Sequence, residues 1–244
     1  PLFVVALFHD LVSSEREAGR QRTLDALPRG GKRLWRRRSL LRFALLWGVL
    51  AIPFALASIV SGVGALTILI VLLLIAAYLF FWIALAALIG RLGWSSVTNA
   101  ATLAACWLVL VLVVPTLANV AINRAIPVNQ GAEIALSQRE KVNRAWDIPR
   151  EDTMTRFYTS HPEWSKSAPL PTEFHYKWYF AFHQVGDESV ADQVRAYRAG
   201  LERRDATARA LGWVLPSVGV QALLTRLAET DLRAQPAYQD RRRP

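Results

Sequence analysis

The side chains able to do covalent or metal chemistry are few and poorly spaced for it. Gly31-Lys32 invites a phosphate-binding loop, which needs a glycine, four residues, then Gly-Lys followed by Ser or Thr. Ala26 stands where the first glycine belongs and Arg33 where the magnesium-binding hydroxyl belongs, so the motif fails at both ends. The histidines are His9, His161, His175 and His183. His175 and His183 are too far apart on one helix to share a metal, and no His-Glu-x-x-His or cysteine pair supports them. Cys106 is the single cysteine and lies in an apolar run, where a lone thiol acts as a small hydrophobe and no intrachain disulfide can form. No Gly-x-Ser-x-Gly elbow marks a nucleophile. The residues expect no catalytic, cofactor-binding or metal site.

The elements that would carry any site are set by hydropathy. Residues 43–90 hold no charged side chain, and a second uncharged run covers residues 92–123. A hydrocarbon core about 30 Å thick takes a helix of about 20 apolar residues, so the first run accommodates two spans and the second one. Gly62-Val63-Gly64 supplies the turn between the first two, and Pro53 and Pro115 fall inside the first and third. None of the spans carries the buried charge that marks an ion or proton path. Leu2 to Phe8 reads as the end of an earlier span. With Pro1 at the start and Met154 as the only methionine, the expectation is a piece of a longer protein.

Charge gives the spans a direction. The net charge of +10 is concentrated between Arg16 and Arg42, which hold ten basic residues against Glu17 and Asp25, whereas basic and acidic residues balance over 123–240. Lysine and arginine beside a span favour its cytoplasmic side, and this placement argues against nucleic-acid binding. The first span then exits at Gly62, the second returns at Arg91, and the third exits near Asn123. Trp35 and Trp94 fall near the cytoplasmic boundary.

Around the spans the pattern predicts helices. Leu11 to about Arg38 reads as two short helices separated by a turn at Pro28-Arg29-Gly30-Gly31. Gly131–Arg144, Ser189–Leu211 and Leu215–Leu227 have helical spacing, the second through Val190, Val194, Tyr197 and Leu201. Asp147 to Pro171, with its prolines, reads as loop. The aromatics Trp146, Phe157, Tyr158, Trp164, Phe174, Tyr176, Trp178, Tyr179 and Phe180 suit a helical domain's own core better than a ligand site.

The most informative segment is Ser13-Ser14-Glu15-Arg16-Glu17-Ala18-Gly19-Arg20-Gln21-Arg22-Thr23-Leu24, a short helix with acids before arginines, as its macrodipole favours. Ser-x-Glu-Arg-Glu-x-Gly, then Thr-Leu, a turn, Gly-Lys and a span, resembles the cytoplasmic segment between the second and third spans of ABC-2-type transporter permeases. The later Trp213-Val214-Leu215-Pro216-Ser217, Gln221-Ala222-Leu223 and Leu227-Ala228-Glu229-Thr230-Asp231 resemble a branch with a large extracytoplasmic domain before the last span. Two departures stand out. Arg20-Gln21-Arg22 intervenes where that family commonly has threonine directly after glycine, and Glu229 stands where glycine is frequent.

The resemblance implies an all-α membrane protein: three full transmembrane helices, a truncated one at the N-terminus, and a mostly helical extracytoplasmic domain. Residues 1–9 would end the truncated helix and 10–39 would form the cytoplasmic coupling segment. Residues 40–123 would hold the spans at about 40–61, 65–90 and 97–122, and 124–244 the extracytoplasmic domain leading to a missing last span. It further implies a permease subunit in a bacterial cytoplasmic membrane. Glu15, Arg16, Glu17, Gly19 and Thr23 would couple to a separate ABC ATPase subunit, and ATP would be bound only by that partner. A second permease subunit and the lipid bilayer complete the expected partners. A membrane-anchored extracytoplasmic receptor or assembly factor is the alternative from another class.

Overall fold

The computed structural model describes residues 1–26, 30–128, 131–170, 173–232, 234, 238 and 241. About 80% of the chain is helical, with no strand among the described residues, so the fold is all-α. The helices are α1 (Leu2–Phe8), α2 (Ser13–Glu17), α3 (Gln21–Ala26), α4 (Gly30–Val60), α5 (Ala65–Gly90), α6 (Ser96–Leu108), α7 (Val114–Ala125), α8 (Gly131–Ala145), α9 (Arg150–Ser160), α10 (Tyr176–Glu188), α11 (Ala191–Gly212) and α12 (Pro216–Leu227). A π-helical turn, Val109–Val113, joins α6 to α7, and a 3₁₀ turn, Pro162–Trp164, follows α9.

Three stretches are long and apolar enough to cross a membrane: Arg33–Val60, Ala65–Gly90 and Ser96–Ala125. Their outward residues are bare hydrocarbon, as in Leu56, Leu73, Phe80 and Leu117. A water-facing surface would not carry a contiguous apolar face of this extent, whereas lipid solvates it. Helices keep most backbone hydrogen bonds within the segment, as a bilayer requires. Pro115 has no N–H to offer the carbonyl one turn back, and the π turn lies directly before and beneath it.

The chain divides into two compact units. The first comprises Pro1–Val120 with the described residues of Thr207–Gln235. Its core gathers Val4, Phe8, Leu11, Leu46, Leu79, Trp82, Ala86, Ile89 and Leu103 from α1, α4, α5 and α6. Trp82 is 1% exposed, with Phe81 edge-on at 5.4 Å between ring centroids. Helix α12 packs on the middle of α5 and on the π turn, where Ser217 Oγ donates to the Leu110 carbonyl at 3.1 Å. The end of α11 meets the start of α12 in a tight hairpin. A Cβ on Gly212 would lie 2.8 Å from the Gly219 Cα, and one on Gly219 would strike the Gly212 carbonyl.

The second unit comprises Ala121–Ala206 with the described residues near the C-terminus. Helix α10 is its centre, packed by α8 and α9. Its buried stripe is Trp178, Ala181, Phe182 and Gly186. Trp178 stacks on Phe182 at 5.6 Å, Trp146 leans on Phe182 at 4.8 Å, and the Arg150 guanidinium lies 4.8 Å over Trp178. Phe174, Tyr176 and Phe180 remain outside this core.

Several local expectations need correction. No break separates the basic segment from the first span: α4 runs unbroken from Gly30, because no proline stands between Gly31 and Pro53 and arginine stems extend along apolar surface. A further division falls at Gly19, between α2 and α3, and the expected turn lies between the end of α3 at Ala26 and the start of α4 at Gly30; Pro28 and Arg29 lie outside the described residues, as does Pro171. The expected loop from Asp147 contains α9, which Pro149 opens with a preset φ and whose first turn holds Glu151 and Asp152.

Helix α12 stops at a residue that resists its own backbone. Glu229 has φ +52°, and the Thr230 N–H bonds back to the Thr225 carbonyl at 2.9 Å. This is the left-handed C-terminal cap that glycine fills without a Cβ penalty. Replacing Glu229 with glycine is expected to stabilise the end of α12 by up to about 1 kcal/mol. Slower hydrogen exchange of the last α12 amides checks this, and Glu229→Val must act in the opposite direction.

Candidate functional site

The residues of the Ser13–Thr23 segment form a polar cluster at one end of the span bundle. Helix α2 is one turn and a half long and ends because Gly19 takes φ +71°. The Gly19 N–H bonds to the Arg16 carbonyl at 3.0 Å and the Arg20 N–H to the Glu15 carbonyl at 2.9 Å, closing a Schellman cap. That reversal swings Arg20 back over α2. Its Nε then donates to Glu15 Oε2 at 2.6 Å.

Glu15 also accepts from Arg38 of α4, at 2.8 Å to Oε1, while its own side chain is only 9% exposed. Arg38 lies over the Trp35 ring as well. Two charge-assisted bonds to one carboxylate hold the anion far better than water does. The hydrogen bonds from Arg20 and then Arg38 lower the Glu15 pKa to about 2.

Glu17 points to a different helix. Its Oε1 accepts the Ser96 N–H at 2.6 Å and its Oε2 accepts the Ser96 hydroxyl at 3.0 Å. These bonds place a carboxylate on the positive end of α6, where unpaired N–H groups face outward. They lower the Glu17 pKa, the backbone N–H of Ser96 contributing most. Ser95 caps the same helix from within, its hydroxyl accepting from the Thr98 N–H at 3.2 Å.

The remaining contacts fasten α1 and the 91–95 turn. Arg16 donates to the Trp94 carbonyl, and Ser13 Oγ lies 2.8 Å from Ser96 Oγ. Asn99 Nδ2 donates to the His9 carbonyl at 3.3 Å. Arg42 of α4 bridges the Leu7 carbonyl and Asp10 Oδ1, satisfying the open end of α1. Of the expected coupling residues, Glu15, Arg16 and Glu17 are thus brought together with α4 and α6, and Gly19 shapes the elbow. Thr23 lies exposed on α3 and stands apart from the cluster.

Sequence reasoning missed Asp10, Ser13, Arg38, Arg42, Ser96 and Asn99. Ser95-Ser96 directly before an apolar run is a helix-start signal, yet its partner Glu17 lies on another element. Among the described residues no group of His, Cys, Asp and Glu comes close enough to hold a metal ion. His175 instead caps α10, its Nδ1 accepting from the Lys177 N–H, and His161 stacks on Phe157. What the arrangement can do is mechanical: a displacement of α2 acts on α4 through Glu15 and on α6 through Glu17.

A carboxyl whose pKa is depressed on folding adds stability above its ordinary value and loses it as pH falls through the folded value. Glu15 should therefore stabilise fully above 4.5 and progressively less down to about 2. Thermal melts of wild type and Glu15→Gln are expected to differ above that window and to converge within it. In Glu17→Gln, amides at the start of α6 should exchange roughly two- to fivefold faster.

Comparison with known proteins adds one match. Residues 132–243, a little under half of the chain, match the profile of a domain of unknown function, DUF3526. No curated protein and no solved structure matches the chain. The chain therefore joins three helices able to cross a membrane to a helical region that carries the features of that domain.

Proposed function

We propose that this chain is the permease subunit of an ABC-2-type ATP-binding-cassette transporter in a bacterial cytoplasmic membrane. The observation that carries the reading is the double brace of α2, to α4 through Glu15–Arg38 and to α6 through Glu17–Ser96. A lever must be rigidly joined to what it moves. A helix this short is marginal alone, and these bonds make it part of the span bundle. Further support comes from the DUF3526 match, a domain known in proteins resembling ABC-2 permeases.

In this reading α2, the elbow at Gly19 and α3 face a separate ATPase subunit that binds and hydrolyses ATP. Closure of that subunit pushes the elbow, and α4 and α6 tilt together as a rigid body. The permease performs no covalent step. A second permease subunit supplies the other wall of the path, and residues 121–206 lie on the extracytoplasmic side. Glu15 and Glu17 then act as positioning residues tied to α4 and α6, while the exposed Ala18, Gly19, Arg22 and Thr23 offer the surface to the ATPase.

The test separates docking from transmission. The full-length protein purified from its native membrane should bring an ATPase subunit with it. Glu15→Gln with Glu17→Gln should keep that association but lower permease-dependent ATPase stimulation about tenfold, within the usual range of coupling energies. Changing Arg22 and Thr23 to alanine should weaken the association itself. Purification without any ATPase, or unchanged coupling in the glutamine pair, would replace the proposal with the anchored receptor or assembly factor.

A further inference from the structure

A cavity of about 550 Å³ opens where the α11–α12 hairpin meets α5. Its span side is the stripe Leu74, Tyr78 and Phe81, in the middle third of α5 and thus at hydrocarbon depth. Its hairpin side includes Trp213 at the turn, Arg209 in the last turn of α11 and Arg226 in the last turn of α12. Among the described residues no acidic side chain lines it. The volume lies within the range of about 300–1,000 Å³ that holds small-molecule ligands.

Two guanidiniums on an otherwise apolar wall beside a membrane span set a specific demand. A cation near hydrocarbon is costly unless an anion or the aqueous boundary meets it, and guanidinium pairs with phosphate in fork geometry. Arg209 also engages other groups of the chain, so selectivity rests chiefly on the exposed Arg226. We propose that this cavity binds an anionic membrane phospholipid, with an acyl chain along Leu74–Phe81 and the phosphate at Arg226 and Arg209. The site needs only the span assignment and stands whether or not the chain is a permease.

Trp213, on the rim and 92% exposed, reports on the occupant. The full-length protein is placed in phosphatidylcholine vesicles with a small fraction of brominated phosphatidylglycerol or, in parallel, brominated phosphatidylcholine. The Trp213 signal is taken as the difference from Trp213→Phe. Quenching by the anionic lipid is expected to exceed that by the zwitterionic one about fivefold, the effect of about one arginine contact. Arg226→Gln should abolish the preference, Arg226→Lys should retain it, and Arg36→Gln, outside the cavity, should leave it unchanged. Equal quenching by both lipids would mean acyl contact without headgroup selection and would overturn the proposal. Absence of quenching, as when polypeptide fills the cavity, or a preference surviving Arg226→Gln, would overturn it equally.

Discussion

Everything at the polar end of the span bundle depends on two carboxylates held by the chain itself, one enclosed at Glu15 and one at the surface at Glu17. Glu15 is nearly enclosed, so its charge is tolerable only with both Arg20 and Arg38 in place. Arg20 arrives only because Gly19 reverses the chain, and Arg38 only because α4 continues as helix past the membrane boundary. The local turn, the helix length and the ion pair thus require one another. Glu17 extends the same logic to α6, whose outward N–H groups need an acceptor that its own loop supplies only in part.

This arrangement changes what acidic residues in a short juxtamembrane helix imply. Acids without partners in their own chain would suggest direct pairing with a partner protein. Here the acids face the chain's own arginines and helix terminus, and the surface left outward is the elbow from Ala18 to Thr23. In a transporter that division of labour is useful. A contact surface must release and rebind, whereas the joints behind it must hold throughout the cycle.

The sequence makes the spans legible because a bilayer imposes length and apolarity that no soluble core requires, whereas the start of α4 is set by helix continuity rather than by apolarity. Gly19 is legible as a helix stop for a similar reason, since few residues take φ +71° readily. The pairings Glu15–Arg38 and Glu17–Ser96 are not legible. They join residues far apart in the chain, and any of the basic residues between Arg16 and Arg42 satisfies the same charge pattern. Helix α9 was obscured by the prolines around it: Pro149 starts a helix while Pro162 bounds its far side, so dense prolines resemble a loop. In α10 the aromatic run hid a helical stripe, since Trp178 and Phe182 are buried while Tyr176 and Phe180, on the same helix, are not.

Glu229 links the sequence pattern to a physical reason. Where glycine would fit without a Cβ penalty, this chain carries glutamate in the left-handed region, held by the Thr230-to-Thr225 bond that ends α12. The cap forms without the residue type that favours it. Helix α12 must therefore end there for reasons outside Glu229 itself, and the packing supplies them. Gly212 and Gly219 fix the hairpin at one end, Ser217 ties it to the π turn, and α5 fills the face between. Strain of about 1–2 kcal/mol at one residue persists when its surroundings over-determine the backbone. The hairpin is accordingly an integral part of the span bundle, although the DUF3526 match continues through it from residues of the other unit.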